Sequence, residues 1–187
     1  GKVQLFMNNG NGTFTNVSAA MDMNRTAFSM GANFGDIDND GYLDFYLGTG
    51  NPSYKSIIPN RLYKNLGGKD FTDVTNAARV GHLQKGHGVS FADLDNNGAQ
   101  DILEDLGGAY IGDAYHTVLF YNPGQGKNNW IGLKLEGTKS NRQGIGSKIT
   151  LAITENGKHR MIYREANSGG SFGSSPLRQS IGIGSVS

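Results

Sequence analysis

Apolar residues in this chain come in short alternating bursts separated by Gly, Asn and Pro, and the bursts recur in a fixed order. Gly31-Ala32-Asn33-Phe34-Gly35 is followed, past a polar loop, by Leu43-Asp44-Phe45-Tyr46-Leu47-Gly48. Arg61-Leu62-Tyr63-Lys64-Asn65 comes next, then a glycine-rich turn, then Phe71-Thr72-Asp73-Val74. Bursts this short predict strands, and the breakers between them predict turns. Shifting the chain by 57 positions lays it on itself without a gap. Leu5, Asn8, Gly10, Phe14, Thr15 and Val17 fall on Leu62, Asn65, Gly67, Phe71, Thr72 and Val74, and Ala20 falls on Ala77. Gly31, Phe34, Asp36, Asp38, Asn39, Gly41 and Asp44 fall on Gly88, Phe91, Asp93, Asp95, Asn96, Gly98 and Asp101. Leu119, Asn122 and Gly124 begin a third copy, which then stops.

A four-stranded antiparallel unit repeated at this spacing predicts propeller blades rather than a sandwich. Residues 1–18 supply the last two strands of one blade, 29–75 a full blade, and 86–122 three strands of the next. From residue 128 the pattern changes. Residues 129–137 alternate as one strand, and Lys148–Ile153 as a second. Asn156-Gly157 then turns a hairpin into residues 159–165, and Ile181-Gly182-Ile183-Gly184 closes the chain. The expected fold is all-β: about two and a half four-stranded blades over 1–127, and a small β domain over 128–187.

The repeated polar loop carries the candidate chemistry. In Asp36-Ile37-Asp38-Asn39-Asp40-Gly41-Tyr42-Leu43-Asp44, carboxylates stand at positions one, three, five and nine and glycine at six. Four carboxylates this close repel unless something neutralises them. Ca²⁺ takes six to eight oxygens, and a short loop can offer alternate side chains plus a backbone carbonyl. Asp36, Asp38 and Asp40 are expected to point inward, the Tyr42 carbonyl to add a ligand, and Asp44 to close the shell. Gly41 permits the sharp turn. In the second loop, Asp93 to Asp101, Asn97 replaces the position-five carboxylate, so weaker binding is expected there. Glu104 stands at position twelve, the EF-hand spacing. The strand-like Gly88–Ala92 before that loop argues against the flanking helix an EF-hand needs.

Composition adds a location and removes some functions. Net charge is +1 but uneven: residues 1–127 hold nine Lys/Arg and thirteen Asp/Glu, residues 128–187 eight and three. The basic residues are interspersed rather than gathered, so a solvated surface is expected and no nucleic-acid partner. No apolar run approaches a membrane span. Cysteine is absent, which excludes a disulfide framework. Calcium loops of extracellular modules bind at about 10⁻⁴–10⁻³ M, which points to the outside of the cell, its surface or the periplasm.

With these residues in hand, 1–122 resemble FG-GAP/VCBS repeats, the calcium-loop blades of integrin-type propellers and of secreted bacterial proteins. The pattern Phe-x-Asp-x-Asp-x-Asp/Asn-Gly-x-x-Asp is met twice. The resemblance implies two Ca²⁺ sites, one on Asp36, Asp38, Asp40, Tyr42 and Asp44, the other on Asp93, Asp95, Asn97, Ala99 and Asp101. It also implies a metal that stiffens the blade and does no chemistry. The C-terminal part resembles the ASPIC/UnbV domain through Asn129-Trp130, the loop Lys139-Ser140-Asn141-Arg142-x-Gly144-Ile145-Gly146, and the closing Ile-Gly-Ile-Gly. That family continues with one more strand, so a domain lacking its last strand is expected.

Other candidates are weaker. Gly144-Ile145-Gly146 beside Lys139 and Arg142 could cradle an anion, although no helix follows. His82, His87, His116 and His159 show no metal-ligand spacing. Asp105 and Asp113 are the candidates outside the cation loops for an acid/base pair in glycoside cleavage. Sequons fall at Asn11, Asn16 and Asn24, about the number chance gives. The expected function is non-enzymatic: a calcium-binding extracellular module for protein or glycan interaction and adhesion. The alternatives are a carbohydrate-binding propeller using Tyr46, Tyr54, Tyr110 and Tyr115, a polymer subunit pairing through open sheet edges, and an accessory region of a larger secreted enzyme.

Overall fold

The computed structural model describes residues 1–51, 53, 57–108, 110–124, 126–173 and 175–186. Alternation writes the first blade directly. Along β3 (Ser29–Gly35), Gly31, Asn33 and Gly35 are buried and Ala32 and Phe34 exposed. Next come β4 (Asp44–Thr49), buried throughout, β5 (Arg61–Asn65) and β6 (Phe71–Asp73). They pair antiparallel in the order β3-β4-β5-β6, which is the expected full blade. The second blade is β7 (Gly86–Ala92), β8 (Asp101–Leu106) and β9 (Val118–Phe120), in that order. Before them, β1 (Phe6–Asn8) and β2 (Phe14–Asn16) form a hairpin. A single helical turn, α1 (Thr75–Ala78), joins the blades.

The blades stack face to face. Tyr46, Leu62, Val80, Val89, Phe91 and Ile102 form the buried layer between them, flanked by Ile37, Val74 and Phe120. A second layer, Met23, Phe45, Leu47 and Tyr63 with Val3, Leu5, Met21 and Phe71, packs the first blade on the N-terminal segment. Burial of each large side chain stabilises by about 2–3 kcal/mol. Approach is close enough that a Cβ on Gly31 would lie 1.6 Å from the His87 carbonyl oxygen. Gly31 is therefore a packing requirement as well as a strand signal, whereas a Cβ on its repeat counterpart Gly88 would meet only Asp105 at 3.8 Å.

The C-terminal part is β10 (Asn129–Leu133), β11 (Lys148–Glu155), β12 (Lys158–Glu165) and β13 (Gln179–Gly184). β11 and β12 form the expected hairpin, with Asn156 and Gly157 both at positive φ (50° and 74°), as a two-residue primed turn requires. β10 pairs with β13, so the closing Ile-Gly-Ile-Gly is an inner partner of Trp130 and Ile131. The strand expected over 129–137 ends at Leu133, because its partner begins at Gln179, opposite Leu133.

Tyr46 is fully buried, with its hydroxyl donating to the Val80 carbonyl at 2.7 Å and hydrogen-bonded to the Glu104 carboxyl at 3.0 Å, so it cannot stack a sugar. Tyr110 and Tyr115 are half exposed, and Tyr54 lies outside the described residues. Glu104 is in mid-strand and faces the core, which removes the EF-hand reading. Among the described residues, no helix is long and apolar enough to cross a membrane.

Candidate metal centre

Both acidic loops link the first and second strands of a blade, and their backbones repeat as closely as their sequences. Asn39 and Gly41 take positive φ (59° and 87°), as do Asn96 and Gly98 (60° and 93°). Gly41 N–H donates to Asp36 at 2.9 Å, and Gly98 N–H to Asp93 at 3.2 Å. Tyr42 N–H donates to Asp40 at 2.8 Å, and Ala99 N–H to Asn97 at 2.7 Å. The position-seven residues thus orient the position-five side chains through their own amides.

Position nine has a structural task of its own. Asp44 accepts Ile37 N–H at 2.8 Å and Asn65 N–H at 2.7 Å, one on each oxygen. Asp101 does the same with Leu94 and Asn122, at 3.0 and 2.8 Å. Each carboxylate ties the start of its loop to the third strand of its blade, at Asn65, which ends β5, or at Asn122, two residues past the end of β9. Sequence reading saw Asn65 and Asn122 only as repeat identities. Their side chains also donate to the Leu43 and Gln100 carbonyls, at 3.0 and 3.1 Å.

Asp36, Asp38 and Asp40 each bring a carboxylate oxygen within 4.8 Å of the others, and no other such group occurs among the described residues. The Asp38 side chain is 8% exposed, and its Oδ1 has no hydrogen-bond partner. Burial pushes Asp36 up to about 7, assisted by the charges of Asp40 and Asp38. Burial raises Asp44 to about 7 and raises Asp40 also, each against hydrogen bonds that favour the anion. This is an over-concentrated set of oxygens, one of them buried without a partner, and its donor chemistry suits a hard cation. Lys64 on β5 reaches the set and pairs with Asp38 at 2.5 Å.

The second loop is looser. Asp93 Oδ1 is buried without a partner, but Asp95 is exposed and accepts from Asn97 N–H and its amide, at 3.1 and 3.2 Å. The Asn97 amide also donates to the Asn122 carbonyl at 3.0 Å. Asp93, Asp95, Asn97 and Asp101 therefore share one loop without converging as the first three carboxylates do.

The outside of the first loop is held by other parts of the chain. Asn122 donates to Ile37 O at 2.7 Å, Asn128 to Asp38 O at 2.8 Å, and Gly184 N–H to Asn39 O at 2.9 Å. Arg160 donates to Asp40 O at 2.7 Å and Arg164 to Gly41 O at 3.1 Å. Five consecutive carbonyls are thereby taken, four of them by residues beyond 127. The Arg160 guanidinium also lies 4.6 Å from the Tyr42 ring centre. A Cβ on Gly182 would sit 2.4 Å from Asp36 Oδ2, and one on Gly98 1.8 Å from Trp130 Nε1. Both loops are clamped by the C-terminal strands, which no sequence period announced.

The remaining candidates are engaged elsewhere. Gly144 and Gly146 N–H groups go to the Asn141 and Ala166 carbonyls and Ile145 N–H to the Asn141 side chain, so that turn offers no anion cradle. Asp113 is buried against Lys85 at 2.6 Å, and Asp105 accepts from Thr117 at 3.3 Å. His82, His87 and His159 each serve a separate local contact.

Residues 1–47 match the family model described as an FG-GAP-like repeat, and residues 137–187 match the one described as ASPIC and UnbV. No curated protein matches the chain. The first match takes in the hairpin, β3 and the whole first acidic loop. The second takes in the Gly144–Gly146 turn, the β11–β12 hairpin and β13. Residues 1–47 therefore carry an FG-GAP-like repeat within an all-β fold consistent with a partial propeller, and residues 137–187 an ASPIC/UnbV domain.

Proposed function

We propose that the chain is a calcium-stabilised, non-enzymatic extracellular module that presents its blades and C-terminal strands to a protein or glycan ligand. The observation that carries this reading is the trio Asp36, Asp38 and Asp40, with a buried, unpartnered oxygen on Asp38. A bound Ca²⁺ would be held by those carboxylates in the first loop, and by Asp93, Asp95 and Asn97 in the second. Tyr42, Asp44, Ala99 and Asp101 complete the two sets. The metal supplies charge neutralisation rather than chemistry. It fixes a loop whose outer carbonyls Asn128, Arg160, Arg164 and Gly184 already grip, so the cation stabilises blade and C-terminal strands together. FG-GAP repeats are typical of extracellular proteins, which fits the calcium levels such loops need.

Calorimetry of Ca²⁺ binding, with thermal melting in calcium and in chelator, tests the metal. Binding heat and a melting temperature raised by calcium are expected; neither appearing would end the proposal.

A glycan reading has one observation in its favour. A cleft of about 890 Å³ between β3 and the β11–β12 hairpin exposes Phe34 and Tyr163, with Lys148 and Arg178 on its wall. Sugar rings stack on exposed aromatic faces of this kind. A glycan array on which Tyr163→Ala binds as the wild type does would reject this cleft as the site.

A further inference from the structure

The first blade carries a cation of its own in the acidic loop. Lys64 leaves β5, crosses to the loop and places its Nζ 2.5 Å from Asp38 Oδ2. Its charge also acts on Asp40 and Asp44. The other Asp38 oxygen, Oδ1, is buried without a partner, and the Asp38 side chain is 8% exposed. One lysine has therefore satisfied half of a carboxylate that stands within 4.8 Å of two others. The repeat shows that a lysine is not required by the blade. The positions 57 residues to either side of Lys64 are Met7 and Tyr121. The lysine thus accompanies the loop with three converging carboxylates, and is missing where Asn97 has already lowered the charge.

We infer that Lys64 is a built-in counter-cation for the first loop, which holds the carboxylate trio together without metal and must withdraw from Asp38 when calcium enters. This rests on the calcium reading above and adds to it a residue that sets affinity. An ammonium gives one positive charge and three donors, so it neutralises part of the trio but cannot fill six or more oxygen positions. Calcium can, but its binding includes the work of displacing the Lys64–Asp38 pair. The consequence removes the ranking expected from ligand charge alone: with Lys64 counted, the four carboxylates of the first loop carry no more net charge than the three of the second.

The test uses the full chain in an Asp95→Asn background, which disables the exposed second loop and leaves one calcium site to measure. Lys64→Met keeps the length and apolar stem of the side chain and removes its charge; Lys64→Arg keeps the charge. The metal-free Lys64→Met protein should melt at a lower temperature than its parent at neutral pH. Its calcium affinity by calorimetry should rise by about tenfold, the scale set by one charge near the loop. Lys64→Arg should stay close to the parent in both. Equal calcium affinities in parent and Lys64→Met overturn the role of Lys64 and leave the calcium reading standing. No calcium binding in any of the three overturns both. Should Lys64→Met fail to fold without calcium, its melting temperature is read across a calcium series. A steeper rise than the parent's supports the inference, and a shallower one overturns it.

Discussion

Asp44 accepts the backbone N–H of Asn65 at 2.7 Å, and 57 residues later Asp101 accepts that of Asn122 at 2.8 Å. The position-nine carboxylate is thus a strap that ties the loop to the third strand of its blade. Its second oxygen holds the amide just after the loop's first residue, Ile37 or Leu94. Asp44→Ala leaves two buried N–H groups without acceptors, each worth about 1–3 kcal/mol. A loss of about 3 kcal/mol in denaturant unfolding is expected, measured in chelator so that no metal contributes. A loss confined to calcium-loaded protein would show that Asp44 serves only as a ligand.

Much of this fold was legible in the sequence because the repeat imposes it. Identities such as Phe34 with Phe91 fixed the strand register, and the breakers fixed the turns. The strap was only half legible. Aspartate at position nine was expected as a ligand, while Asn65 and Asn122 gave no signal of their own. Lys64 was hidden for a different reason: it is distant in sequence from the loop and ordinary in type. The clamp by Asn128, Arg160, Arg164 and Gly184 was hidden because it joins two units with different grammars. Glu104 misled by spacing: position twelve of the loop falls on the inward face of β8, under Tyr46. A local motif reports local geometry, and these contacts are set by packing between sheets.

The buried acids give the metal-free protein an unusual pH profile. Burial raises Glu104 to about 8, while Asp36 and Asp44 rise to about 7. A carboxyl with a raised folded value binds more protons folded than unfolded, so stability falls as pH rises between the two values. Without metal, the stability these acids contribute should be fully present below about pH 4 and be lost progressively as pH rises to about 8. Calcium should remove the part owed to Asp36 and Asp44, because a bound cation favours their anions. The part owed to Glu104 should persist in calcium and vanish in Glu104→Gln. Denaturant unfolding at a series of pH values, with and without calcium, separates the two. Stability that rises across this range without metal would contradict the burial argument.

Trp130, the sole tryptophan, sits against Gly98 at the turn of the second loop. Its indole emission should therefore respond when that loop is filled. The response should disappear in Asp95→Asn and survive in Asp38→Asn, whose loop lies beneath β12 and β13 instead. Because Asn39 of the first loop donates to the Gly98 carbonyl at 2.8 Å, titration of emission against free calcium is made in Asp38→Asn, where it reads the second loop's affinity alone. An emission change that follows Asp38 and ignores Asp95 would show that the indole senses the C-terminal clamp rather than its own neighbour.

Arg160 reaches a backbone carbonyl and Lys64 a carboxylate of the same loop, and removing either takes away one positive charge. Long-range electrostatics alone would make both losses improve calcium affinity. The contacts say otherwise. Lys64 occupies one oxygen of Asp38, a proposed ligand, so its removal should free the site. Arg160 grips the Asp40 carbonyl, lies over Tyr42 and pairs with Glu155 at 3.3 Å, so it fixes the outside of the loop in a ligating shape. Arg160→Leu should lower calcium affinity by a few fold, as a less ordered loop takes on more ordering on binding. It should also cost about 2 kcal/mol of stability, since a charged hydrogen bond and a cation–π contact are lost. Hydrogen exchange over residues 36–44 should quicken in Arg160→Leu. Opposite signs for the two variants would establish that the clamp acts by shape. Two gains in affinity would reduce it to charge.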